Sequence, residues 1–457
     1  MAIAAPELEQ IYRYPVPSAL VADQRGRRLR LATSGGPAAN PHFFDGRLLR
    51  AVLASDLLLT LSDLARARFH VPSAMLARIL QLADPVATCA EERLRFESFS
   101  ACGSVYGRLD LTPEAFEGDV LGRGTTNVDF GSDMRAALAG VRERDGLGLS
   151  VGLSGVEVRT ARASAVERRV PLPARWLRGF LEVQAVQAGL APAAELDAAS
   201  TRAFLGSIPR SPSKRPVWLV PERRGLRIVH HDAGGGAVAL AGMVRLRLFE
   251  RAARHATALR VYAVAGDGST AWQLDVPGAR LTLVLSPETW RGFSGEGRAL
   301  HALAERASPA SLAAVRAALG WQPRLAVDAL ATSTGRSQTE VTAALARLAI
   351  SGLVGYDLAD GGFFRRELPF DLERVERLQP RLREARRLIE RDGVRVDTDD
   401  PAGLAAWVAG AGGVEYHVRS TAEGWACTCP WYGRHRGERG PCKHVLAVQL
   451  VVADDAG

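Results

Sequence analysis

Apolar positions along this chain fall into two periods. Between Leu48 and Arg68, leucines recur three and four residues apart, the spacing of an amphipathic helix. Trp176, Leu177, Phe180, Leu181 and Val183 repeat that spacing after Pro171 and Pro173. From Val217 to Leu285 the pattern shortens to runs such as V-W-L-V, L-R-I-V and L-T-L-V-L between Gly and Asp, which predicts strands, with a helix near residues 244–256. Between these regions, S-I-P-R-S-P-S-K-R-P at 207–216 concentrates proline, serine and basic residues and predicts an interdomain break. Further on, the pattern predicts a short helix over 325–330, a T-S-T-G turn and a Ser337–Glu340 capping box. Val341, Leu345 and Leu348 then continue at helical spacing to Gly352. Strand-like segments at 353–358 and 363–368 flank D-G-G. Near the C-terminus Val414, Tyr416 and Val418 alternate with Glu415, His417 and Arg419, the signature of a half-buried strand.

These elements predict an α+β, multidomain chain. An N-terminal mixed α/β domain covers 1–208, a β-rich domain 217–306, a helix–turn–helix–hairpin domain 308–370, and a charged helical connector, interrupted by Pro380, 371–395. A ββα module at 411–453 follows a polar D-T-D-D-P linker. The helix–turn–helix–hairpin order resembles a winged helix domain. Its second helix offers Gln338, Thr339, Thr342 and Arg347 as outward contacts. A DNA-reading helix presents more Arg, Lys or Asn to base edges, so this one suits a protein surface better.

Three of the five cysteines fall in W-A-C-T-C-P-W-Y-G-R-H-R-G-E-R-G-P-C-K-H-V. Cys427 and Cys429 form C-x-C, and Cys442 and His444 form C-x-H, across a twelve-residue spacer. Residues two apart on a strand share a face, so both thiolates of the first pair reach one ion. Pro441 precedes Cys442, and Val445, Leu446, Val448, Leu450 and Val451 form a helical stripe. Cys442 therefore sits at a helix start, where the dipole favours a thiolate, with His444 in the first turn. Cys₃His is a usual ligand set for one structural Zn²⁺, and it leaves no coordination position open for an activated water. Cys89 and Cys102 stand apart in sequence from any histidine and read as reduced core thiols.

The ligand pattern resembles the SWIM zinc finger: C-x-C, a variable spacer, then C-x-H. Three further segments widen the resemblance: R-F-E-S-F-S-A-C-G-S-V-Y-G-R at 95–108, G-T-T-N-V-D-F at 124–130, and V-P-L-P-A-R-W-L-R-G-F at 170–180. With these, most of the chain resembles a family of bacterial SWIM zinc finger proteins. Such proteins look like companions of a MoxR-type AAA ATPase and a von Willebrand factor A protein. The resemblance implies an adaptor beside an ATPase, and it carries over only the four zinc ligands.

Charge changes this picture little. The chain has 457 residues and a formal net charge of +8, yet Lys214 and Lys443 are its only lysines. Charges of both signs are spread along it, whereas a nucleic-acid footprint is clustered. The densest cluster lies within the metal motif: Arg434, Arg436, Arg439 and Lys443, a contact surface for an acidic partner face or for phosphate. No Walker-type glycine loop, H-E-x-x-H or G-x-S-x-G motif occurs. Gly124, Thr125, Thr126, Asn127 and Asp129 form a polar cluster that reads either as an Asx-type turn or as a cradle for an ion. Residues 1–10 carry Glu7 and Glu9 and no apolar core, and the apolar stretch 51–65 is broken by Asp56 and Asp63. The expectation is a cytoplasmic, non-enzymatic protein that uses zinc, contacts a protein partner and does not span a membrane. A DNA-binding regulator and an enzyme with a polar site at 124–130 stand as alternatives. Loss of zinc is expected to unfold the finger and leave the other domains folded.

Overall fold

A computed structural model describes residues 19–23, 26–30, 42–69, 85–368, 379–397 and 404–455, apart from 128–129, 153–154, 161–162, 169–173, 214, 224, 265–267, 291, 294–296, 298, 301–306, 422–423 and 438. The chain forms two compact units that interleave in sequence. One comprises 1–173, 190–292 and 321–323; the other comprises 174–189, 293–320 and 324–457.

The first unit is built on an eight-stranded antiparallel sheet. Its order is Ala191–Asp197, Ala258–Ala263, Thr270–Val276, Ala279–Leu285, Val105–Leu111, Arg93–Phe99, Val86–Ala90 and Gly124–Asn127. The central pairing joins Ala279–Leu285 to Val105–Leu111, with Leu281 opposite Leu109 and Leu283 opposite Gly107. The regions read as separate N-terminal and β-rich domains thus share one sheet. The stretch 207–216 lies inside this unit, after the helix Ala198–Ser207 and before the strand Val217–Glu222. Proline and serine mark a surface connection there, as they do in any turn, and not a domain boundary.

One face of the sheet is apolar. Leu94, Phe96, Leu109, Trp272, Leu281 and Leu283 are buried on it with Leu57, Leu61 and Leu64 of the expected helix, Ala51–Arg66. That helix approaches closely enough that a Cβ on Gly107 would meet Leu64 Cδ2 at 2.3 Å. The Phe204 and Trp272 rings stack at 5.7 Å. Strand alternation sends Arg95, Glu97, Arg108, Asp110, Gln273 and Thr282 to the other face, and all six are fully buried. Asp110 accepts from Arg95 Nε through Oδ1 and from Arg108 Nε through Oδ2, each at 2.7 Å, and Tyr106 donates its hydroxyl to Glu97 at 2.6 Å. This gives a physical account of the pointed segment at 95–108. It is two paired strands whose polar residues belong to a buried charge network.

Gly124–Asn127 is the edge strand of that sheet, pairing Thr125 with Thr88 and Asn127 with Val86. Gly124–Asn127 is thus extended backbone in a ladder rather than an Asx-type turn. Asp129 lies outside the described residues. A five-stranded sheet, with His42–Leu48 between Leu147–Gly152 and Phe116–Val120, completes the packing around Ala51–Arg66 and Ser132–Ala139. The helix expected near 244–256 appears as two short 3-10 segments, Met243–Phe249 and Ala253–His255.

In the second unit, Pro309–Ala318, Val327–Thr334 and Gln338–Ile350 form three helices, followed by the hairpin Val354–Asp357 and Gly362–Arg365. Val315, Leu330, Val341, Leu345 and Leu348 fill their common core. The capping box is present: Ser337 Oγ accepts the Glu340 N–H at 3.2 Å, and Glu340 Oε2 accepts the Ser337 N–H at 3.0 Å. The Ser337 backbone bond, helped by the Ser311 and Ser337 hydroxyls, holds the Glu340 carboxyl down to about 2. Ser337→Ala is expected to lower stability by about 0.5–2 kcal/mol in urea denaturation at neutral pH. A carboxyl depressed in the folded state stabilises above its unfolded value and loses that contribution as pH falls through the folded one. The gap in stability between wild type and Glu340→Gln is therefore expected to close as pH falls from about 4 towards about 2.

Pro380 stands at the first position of the helix Pro380–Glu390, where a proline lacks only an N–H that would be unbonded anyway. Residues 371–378 lie outside the described residues. This helix packs against Lys443–Asp455 through Leu382, Ala385, Leu446 and Ala447, in a core shared with Leu181, Ala299, Leu300 and Ile350. Among the described residues no helix is long and apolar enough to cross a membrane.

Candidate metal centre

The C-terminal module is a four-stranded antiparallel sheet with helices, not the two strands expected. Its order is Val394–Asp397, Ala405–Ala409, Glu415–Thr421, Gly424–Cys427. Val394–Asp397 overlaps the expected connector and linker, and Ala405–Ala409 precedes the expected start of the module at 411, since aspartates and alanines dilute the strand pattern there. One face buries Ala406, Val408 and Val418 beside Cys427, Cys429, Cys442, Val445 and Val448. The other presents Trp407, 41% exposed and stacked on His417 at 4.5 Å.

Three local devices place the ligands. Cys427 ends the last strand. Cys429 caps the short helix Pro430–His435, its sulfur accepting the Tyr432 N–H at 3.3 Å. This helix occupies the first half of the twelve-residue spacer. Cys442 immediately precedes Lys443–Asp455, and its sulfur accepts the Val445 N–H at 3.4 Å. The Cys429 N–H points at Cys427 Sγ, also at 3.4 Å. Each sulfur thus receives one backbone N–H, which favours its thiolate form.

Cys427, Cys429, Cys442 and His444 are all buried, and one donor atom from each lies within 4.8 Å of the others, near the sulfur spacing of about 3.8 Å expected around zinc. His444 Nδ1 sits 3.9 Å from Cys427 Sγ, and its ring packs at 4.7 Å on Tyr416. Its Nε2 has no hydrogen-bond partner among the described residues. The sulfurs also shape one another's acidity. Hydrogen bonds from Cys427 and Cys442 hold the Cys429 thiol far below its ordinary value. Hydrogen bonds with Cys429 and Cys442, then burial, push Cys427 far up. At Cys442 the hydrogen bond with Cys427 lowers the thiol, but Cys429 and burial outweigh it and push it up to about 11. A dication resolves this contest by taking all three as thiolates. The donor chemistry, burial and geometry fit, and the four residues are positioned to bind one zinc ion.

The candidate contact residues separate. Arg434 and Arg436 are exposed on and just after Pro430–His435, Arg439 is half-buried, and Lys443 pairs with Glu384 at 2.8 Å. The guanidinium of Arg381 braces the spacer from beneath, donating to the carbonyls of Arg439 and Pro441 at 2.7 and 2.8 Å and lying over the Trp431 ring. Sequence reasoning missed that brace, since Arg381 is one of many arginines in its segment. Of the other cysteines, Cys89 is buried and its thiol is pushed up to about 12 by burial. Cys102 lies half-buried in the turn between two strands. Burial pushes it up, but hydrogen bonds with Ser100 and Ser104 outweigh this and hold it below its ordinary value, so it is not a core thiol.

Residues 416–452 match the family model of the SWIM zinc finger. No curated protein matches the chain. Among solved structures it is similar to the Proliferating Cellular Nuclear Antigen of Entamoeba histolytica, at 12% identity and a TM-score of 0.36, over 54% of this chain and 98% of that one. It is also similar to the PCNA2–PCNA3 complex of Sulfolobus tokodaii, at 10% identity and a TM-score of 0.40, over 53% and 98%. A third similar structure holds the C-terminal region of FEN-1 bound to A. fulgidus PCNA, at 12% identity and a TM-score of 0.36, over 53% and 97%.

Proposed function

We propose that this chain is a non-enzymatic, cytoplasmic interaction protein whose zinc finger and winged-helix-like module hold a protein partner. The observation that carries the reading is the closed metal site. Three sulfurs and one imidazole, all from the chain and all buried, would fill the four positions of a structural zinc and leave none for substrate or water. Zinc then fixes a surface instead of activating a nucleophile. The exposed part of that surface is the Pro430–His435 turn with Arg434 and Arg436. In the winged-helix-like module, Gln338, Thr339 and Thr342 face outward on Gln338–Ile350, and Arg336 is already paired with Glu340. Such a face is poor in the cations that read DNA and suits a protein surface. The adaptor reading extends to an AAA ATPase of the MoxR type, with a von Willebrand factor A protein, as the partner system.

Affinity purification of the full chain from its native cytoplasm, assayed for co-purifying protein and nucleic acid, tests the reading. A stoichiometric protein partner is expected. Salt separates the alternative, because each phosphate neutralised contributes roughly −0.7 to −0.9 to the slope of log affinity against log salt. A DNA-binding regulator would show a steep slope that flattens by about two to three units when Arg434, Arg436 and Arg439 become alanine. A protein partner held partly by apolar contacts responds more shallowly. Sequence-specific duplex binding at physiological salt would overturn the proposal.

A further inference from the structure

Outside the zinc finger, the first unit carries a groove of about 590 Å3 beside the C-terminal end of Ala51–Arg66, lined by Arg68, Phe69, Arg210, Arg247, Leu248 and Arg251. Its charge is unbalanced in one direction. The carboxylates at the groove are already committed: Asp63 to Arg135 at 2.7 Å and to Arg251 at 3.2 Å, and Glu250 to Arg247. Nearby Asp56 is taken by Arg254 at 2.6 Å. Arg68 and Arg210 are exposed and make no ion pair or side-chain hydrogen bond with any described residue. Between the guanidiniums, Phe69 and Leu248 are half-buried and form an apolar floor with Val244.

We propose that this groove docks a short acidic peptide segment of a partner protein, with one apolar side chain of the segment on the Phe69–Leu248 floor. Guanidinium forks match carboxylates in bidentate geometry, and their spread around the groove suits several carboxylates along an extended chain. A compact phosphate would leave the Phe69–Leu248 floor unused. A nucleic-acid backbone needs a cationic track, whereas here the cations ring a single groove interrupted by carboxylates. The volume falls within the range of peptide side-chain and small-ligand pockets.

The test uses the full chain and a fluorescein-labelled heptapeptide, EDELFEE, followed by fluorescence anisotropy at low salt. Saturable binding is expected, weakened about tenfold or more by Arg68→Glu with Arg210→Glu and partly by Arg210→Gln. The exposed control Arg223→Glu should leave it unchanged. A peptide with serine at the leucine and phenylalanine positions should also bind more weakly. Absence of saturable binding, or equal affinity in the charge-reversed protein, would overturn the proposal. So would an oligothymidylate that binds through the same two arginines more tightly than the peptide, because the groove would then be a nucleic-acid site. Inorganic phosphate should displace the peptide only by general screening, as chloride does; saturable competition by phosphate would also count against the peptide reading.

Discussion

Cys429→Ser is expected to abolish stoichiometric zinc and to melt the C-terminal module, with damage that spreads beyond the finger. Wild type should carry one zinc per chain by elemental analysis, and the variant close to none. The sulfur at this position is a ligand, the cap of Pro430–His435 and a buried member of the core, only 1% exposed. Structural zinc in finger peptides contributes on the order of 10–16 kcal/mol of apparent free energy, more than the small core around Val408, Val418, Val445 and Val448 can replace. The sequence led us to expect that the rest of the chain would stay folded. The packing changes that expectation, because Leu446 and Ala447 share a core with Leu382, Ala385, Leu181, Ala299, Leu300 and Ile350. Hydrogen exchange should therefore rise in Pro380–Glu390 and Ala174–Gly189 as well as in Glu415–Thr421 and Lys443–Asp455. The thiols must shed their protons to bind the metal, so zinc retention should also fall on acidification. Equal zinc in wild type and variant would remove the site. Protection lost only in 415–455 would restore the independent finger.

The finger was legible because its signal is local. Cys427, Cys429, Cys442 and His444 sit at fixed offsets on a strand end and a helix start, and both elements announce themselves within a few residues. The same is true of the Ser337–Glu340 capping box and the leucine spacing of Ala51–Arg66. Illegible features were those that depend on distant pairing. Nothing local in Ala279–Leu285 says that it lies against Val105–Leu111, about 170 residues away. Consequently one sheet was divided between two domains, and a surface connection at 207–216 looked like their linker.

Alternation along Arg93–Phe99 marks the strand that the structure shows but does not say what covers its polar side. A strand reading R-L-R-F-E-S-F predicts one apolar face and one wet face. Here the polar face is buried too: Asp110 accepts from Arg95 on the neighbouring strand and from Arg108 on its own, and Glu97 accepts from Tyr106. Period two reports which side a residue faces, not what covers that side. A sequence signal does exist in retrospect. Register places Arg95 opposite Asp110 and Glu97 opposite Arg108, so opposite charges meet at consecutive positions of one hairpin.

That network carries the second large expected effect. Asp110→Ala should destabilise the chain by about 3–5 kcal/mol, because it removes one carboxylate from between two buried guanidiniums. Each of its oxygens takes one Nε at 2.7 Å, and all three side chains are fully inaccessible to water. Surface pairs of the same type are worth about 0–1 kcal/mol, so Arg227→Ala, which breaks an exposed pair with Glu222, serves as the comparison. Urea denaturation of the full chain, followed by tryptophan fluorescence, measures both; Trp272 in the same sheet reports on this unit. Most of the loss should come from stranded charge rather than from the bond itself. Replacing Arg95 and Arg108 with methionine in the Asp110→Ala background should therefore recover part of the stability, since a well-packed apolar set avoids burying charge at all. A cost for Asp110→Ala no larger than that of Arg227→Ala would mean that water reaches these groups and that the second face of the sheet is not closed. A large cost with no recovery in the triple variant would instead show that the shape of the network holds the strands in register, beyond its charge balance.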